Sequence, residues 1–151
     1  MAAGLEANQI GMRPFMKLTS KVLDMDTLLA LYVSIDFNDS SQRVLSLDQP
    51  NLGLSREYLV KGFDDDSVQE YFTYMKETVS LLSGDVVTAN LELKESLMFE
   101  IALAKVSTPK EERRNMSKLY NAYTVGSLES LAGHPPSWKD YVEQVLGMPN
   151  R

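Results

Sequence analysis

At 151 residues, with 44% apolar and 24% charged side chains, the chain has ordinary globular proportions. It is long enough to bury roughly 70% of its unfolded surface as one domain. A net charge of −6 argues against nucleic acid as a partner, because neutralising phosphate takes clustered Lys and Arg. With no cysteine there is no disulfide, thiolate metal site or cysteine nucleophile. No apolar run reaches the length of a membrane span. The opening Met1-Ala2-Ala3-Gly4-Leu5-Glu6 has neither the basic nor the apolar region of a signal peptide.

Residues 8–31 read as helix, with Ile10, Met12, Phe15, Met16, Leu18, Val22 and Leu23 mostly at helical spacing. Pro14 would start or kink it, and Asp24 or Asp26 would cap a second short helix through Leu28, Leu29 and Leu31. The period then changes to alternation in Tyr32–Asp36 and Arg43–Leu47. The intervening Phe37-Asn38-Asp39-Ser40-Ser41-Gln42 carries turn chemistry, so a β-hairpin is expected. Pro50 and Gly53 end the second strand.

Asp64-Asp65-Asp66 suits a helix N-terminus, where free amides and the helix dipole favour negative charge. Val68, Tyr71, Phe72, Met75, Val79 and Leu82 follow as one stripe, with Gly84 as the stop. A further helix is expected from about Val87 to Lys105, with Leu93, Leu97, Ile101 and Ala104 on its inner face. Thr108-Pro109-Lys110-Glu111-Glu112 has the cap, proline and acids of another helix start. Thr124 would cap a short helix through Leu128 and Leu131, and Ser137 one over Trp138–Leu146. The sum is mainly α: a helical lobe with one small β-hairpin over about residues 32–47.

Little in the chain can do chemistry. Catalytic zinc needs three protein ligands and an open position, commonly His-Glu-x-x-His on one helix plus a carboxylate. The sole histidine, His134, stands between Gly133 and Pro135 and reads as a loop residue. Asp64, Asp65 and Asp66 lack the spacing of a calcium loop and read as helix capping. Glu100, beside the apolar stripe, reads as a partly buried carboxylate paired with Arg113 or Arg114, with acid–base work as the lesser alternative. Basic residues from Lys110 to Lys118 interleave with Glu111 and Glu112 as a solvated helix face. A Ser-His-Asp triad would need His134, and there is no nucleophile elbow. Two sequons, Asn38-Asp39-Ser40 and Asn115-Met116-Ser117, are candidate N-glycosylation sites. The hairpin turn accommodates a glycan at Asn38 more readily than a helix would at Asn115.

The segment Asp48-Gln49-Pro50-Asn51-Leu52-Gly53-Leu54-Ser55-Arg56-Glu57-Tyr58 resembles a signature of the neprilysin and endothelin-converting-enzyme family of zinc metallopeptidases. Further landmarks follow in the family's order. They are the Tyr71–Leu82 helix, Phe99-Glu100-Ile101-Ala102-Leu103-Ala104, Pro109 to Arg114, Leu119-Tyr120-Asn121 and Trp138. Together these blocks cover most of the chain downstream of Val33. Two departures stand out: no proline follows Leu54, and Leu59 replaces a second tyrosine.

By this resemblance residues 1–151 form a single partial domain, the family's N-terminal helical lobe, with residues 1–31 matching poorly and shortened. That lobe closes over a catalytic lobe and limits access to small peptides. The family's zinc ligands lie in its later, C-terminal part and match nothing here. No catalytic, cofactor-binding or metal residue is therefore carried over. The expected partners are a missing C-terminal catalytic lobe or a full-length peptidase, and small peptides. The expected location is extracellular or a membrane ectodomain. The alternative is a free-standing helical module that binds a peptide or a full-length peptidase and regulates it.

Overall fold

The computed structural model describes residues 26–83, 86–132 and 137–146. They fall into two compact units, one drawn from residues 1–51 and 120–151, the other from 52–119. The fold is mainly α with a single two-stranded sheet among the described residues.

In the first unit, β1 (Ala30–Ile35) pairs antiparallel with β2 (Arg43–Asp48), placing Leu31 opposite Leu47 and Val33 opposite Leu45. The alternation expected from the sequence is present. The helix expected through Leu31 is not, because Ala30 and Leu31 are claimed by their partners Asp48 and Leu47. Cross-strand pairing overrides the helical spacing of a short leucine run. The part of that helix before residue 26 lies outside the described residues.

The same unit holds two helices, α5 (Val125–Ala132) and α6 (Trp138–Leu146). Thr124 caps α5 reciprocally with Ser127, each side chain bonding the other's backbone amide at 2.9–3.1 Å. Ser137 caps α6 through the Asp140 amide at 3.2 Å. Glu129 of α5 accepts from both the Ser137 hydroxyl and the Lys139 amide, tying the pair together. Tyr141 is buried, with Trp138 edge-on at 6.1 Å between ring centres.

The second unit is built from α1 (Arg56–Leu59), α2 (Asp66–Ser83) and α3 (Val86–Val106). Their core is Leu59, Val68, Phe72, Leu97, Ile101 and Ala104, flanked by Leu52, Leu54, Phe63, Tyr71, Met75 and Leu93. The anticipated stripes are therefore the buried ones, except at the end of α2. There Leu81 and Leu82 are 88% and 83% exposed. Gly62, at φ 98°, turns the chain out of α1. Asp65 opens α2 by accepting the Ser67 amide at 3.1 Å, so one carboxylate of the acidic triplet acts as the cap.

Beyond α3 the expected helix is broken. A 3-10 turn (Glu112–Arg114) and a single α turn, α4 (Met116–Leu119), are separated by Asn115 at φ −92°, ψ 91°. No apolar residue of either piece is buried, and short helices without packing are not self-sustaining.

Candidate functional site

The signature segment becomes a clamp. Leu52 and Leu54 face the core of the second unit, which leaves the Gly53 backbone lying across α2 and α3. The Gly53 amide donates to a Glu100 carboxylate oxygen. The same carboxylate accepts from the Tyr71 hydroxyl, so one acid joins the loop, α2 and α3. A Cβ on Gly53 would collide with the Tyr71 hydroxyl, so only glycine lets the backbone approach this closely. Burial, then the charge and hydrogen bond of Glu100, push the Tyr71 hydroxyl above the ordinary tyrosine range.

Arg56 completes the clamp, its Nε donating to the Ser107 carbonyl at 2.9 Å. That bond holds the start of α1 against the end of α3. Leu59, the departure from the family's tyrosine, is fully buried in the core. Tyr58 stays in solvent, 39% exposed, with the Lys61 ammonium 5.2 Å from its ring centre. The signature thus divides into residues that lock the loop and one aromatic that faces outward.

In the first unit the hairpin tip is pinned by one carboxylate. Asp36 accepts the amides of Asn38 and Asp39 at 2.6 and 3.2 Å and the Tyr120 hydroxyl at 3.0 Å. Phe37 packs against the Tyr120 ring at 6.0 Å. The bond to Asp36 raises the Tyr120 hydroxyl above its ordinary range, while a bond from the Asn38 side chain opposes the shift. Asp39 is held below the ordinary carboxylate range by Ser41, whose hydroxyl and amide both donate to it.

The structure redistributes the candidates. Glu100 is engaged by Gly53 and Tyr71, correcting the expected pairing with Arg113 or Arg114, which stand in the 3-10 turn. The pairing was out of reach of pattern reading because Gly53 and Glu100 are 47 positions apart. Tyr71 read only as a core aromatic, and its hydroxyl gave no sequence signal. His134 lies outside the described residues. Glu111, Glu112 and Lys118 border a shallow depression shared with Thr108, Asn115 and Leu119, a mixed-charge surface of the kind expected.

Zinc, which the resemblance implies for the complete enzymes, does not fit the residues present. Among the described residues no group of three or more His, Cys, Asp or Glu could hold a metal ion, and the chain has one histidine and no cysteine.

Comparison with known proteins agrees with the clamp's signature. Neprilysin-2 of Drosophila melanogaster is 40% identical over 131 residues, covering 86% of this chain and 17% of its own length. Neprilysin-1 of Trittame loki is 31% identical, covering 82% and 18%. Human endothelin-converting enzyme 1 is 35% identical over 106 residues, covering 68% and 14%. The chain thus spans less than a fifth of the length of these relatives. The profile described as peptidase family M13, in its N-terminal form, matches residues 11–151. The chain belongs to peptidase family M13, of which it carries N-terminal-region sequence.

Proposed function

We propose that this chain acts as a non-catalytic N-terminal lobe segment of a neprilysin-like zinc metalloendopeptidase, shaping a chamber that admits small peptides. The observation that carries the reading is the use made of the family signature. Its residues Gly53 and Arg56 are spent on fixing a loop to a helical pair, through Glu100, Tyr71 and Ser107. None converges on a reactive centre.

Two apolar surfaces exposed among the described residues support it. One face of the hairpin leaves Val33, Ile35, Leu45 and Leu47 open to solvent. The helix α3 carries apolar residues on more than one side, with Leu97 and Ile101 inside but Val87, Leu91, Met98 and Phe99 outside. A helix of that kind ordinarily meets neighbours on more than one side. The partner is then a catalytic lobe that carries the zinc ligands, and an extracellular or ectodomain location follows from that assignment.

The test is peptide cleavage. The purified 151-residue chain should leave a bradykinin-sized peptide intact. A longer product of the same gene bearing His-Glu-x-x-His should cleave it in a chelator-sensitive way. Hydrolysis by the isolated chain, or a complete product without that motif, contradicts the proposal.

A further inference from the structure

We propose that the Arg114–Asn115 peptide bond is a proteolytic site, the bond at which a trypsin-like endopeptidase first cuts the folded chain between residues 26 and 146. The partner is a serine endopeptidase whose specificity pocket ends in a carboxylate that receives a guanidinium.

The stretch 107–124 connects α3 to α5, and none of its residues is buried. Its regular structure is one 3-10 turn and the single turn α4. Pieces that short do not hold themselves together without packing. The stretch is fastened at both ends. Arg56 Nε donates to the Ser107 carbonyl at 2.9 Å, and the Tyr120 hydroxyl donates to Asp36 at 3.0 Å. Opening the chain between these anchors exposes no core residue, so it belongs to the low-cost end of local unfolding.

Within the stretch, position selects Arg114. Asn115, on the leaving side of the bond, is already extended at φ −92°, ψ 91°, and enzymes that bind peptides along a strand edge take them extended. Arg114 is exposed, whereas Arg113 is half-buried. Lys110 is followed by an acid, Glu111, and its carbonyl accepts the Arg113 amide at 3.3 Å. Lys118 lies inside α4, its amide held by the Asn115 carbonyl at 3.1 Å.

Outside the stretch, basic residues are tied into longer elements or tight turns. Lys76 and Lys94 lie inside α2 and α3, each ammonium 4.8 Å from the centre of a phenylalanine ring. Lys61 pairs with Asp65 at 3.3 Å and precedes Gly62, whose φ of 98° is not a strand conformation. Arg43 is locked in the sheet opposite Ile35. Cutting at any of these first requires a helix, the sheet or a turn to come apart.

The reaction consumes one water. Its oxygen, with one hydrogen, joins the Arg114 carbonyl carbon as the carbon–nitrogen bond breaks, and the other hydrogen goes to the Asn115 nitrogen. The first unit is drawn from residues on both sides of the cut. A single nick therefore turns it into an assembly of two polypeptides, with Asp36 on one and Tyr120 on the other.

The test is limited digestion of the native 151-residue chain with trypsin, followed by intact mass and sequencing of new N-termini. The first new terminus between residues 26 and 146 is expected at Asn115. Arg114→Gln should abolish that terminus and prolong survival of the region, whereas Arg113→Gln should still be cut after Arg114. In urea above the unfolding midpoint the preference should vanish, because every Lys and Arg bond is then open. A first cut at another bond of the region, equal survival of Arg114→Gln, or the same preference in urea overturns the proposal. None of these readouts depends on peptidase activity of this chain or of a longer product, so the lobe reading stands or falls separately.

Discussion

The Tyr71 hydroxyl occupies the space that a side chain on Gly53 would need. The two residues come from a loop and a helix, and Glu100 bridges them.

Gly53→Ala should therefore destabilise the chain by about 1–3 kcal/mol, the range for forced overpacking. Tyr71→Phe removes the clashing oxygen but also a hydrogen bond to Glu100. Combining the two should cost less than the sum of the single changes, since residues in contact couple. A double-mutant cycle by urea melts checks this, and strict additivity would show that the contact does not limit stability.

The raised pKa of Tyr71 gives a signed alkaline prediction. Its folded value lies above the unfolded one, near 10. The stabilisation is complete below that unfolded value and is lost as pH rises through the folded one. Denaturation midpoints of the wild-type chain should fall from about pH 10 upward. The fall should be shallower in Tyr71→Phe. Equal slopes in the two proteins would contradict the Tyr71 assignment.

Leucines separate core from surface. Leu97→Ala, at a fully buried position, should cost about 2–5 kcal/mol. Leu82→Ala, at a position 83% exposed, should move stability by under about 0.5 kcal/mol. Parallel thermal or urea melts decide it, and a large loss at Leu82 would show that the end of α2 is packed.

Much of this fold was legible because the local signals agreed with the tertiary ones. Alternation in Tyr32–Asp36 and Arg43–Leu47 became paired strands, and the Thr124 and Ser137 caps stand where side-chain chemistry put them. Leu28 to Leu31 misled, because leucines at that spacing satisfy a helix until a distant strand claims Ala30 and Leu31. The Pro109 start signal was also incomplete. It opens only short pieces, since nothing apolar beneath them is buried. The clamp was half visible: Gly53 and Arg56 stood in a recognisable motif, while their partners Glu100, Tyr71 and Ser107 are set by three-dimensional approach alone.

Metal content is the most direct test of a non-catalytic lobe. Elemental analysis of the purified 151-residue chain, equilibrated with excess zinc and then dialysed, should find far less than one zinc per chain, because the chain has one histidine and no cysteine and no three His, Asp or Glu side chains converge among the described residues. Retention of about one zinc per chain, lost with a chelator, would contradict it.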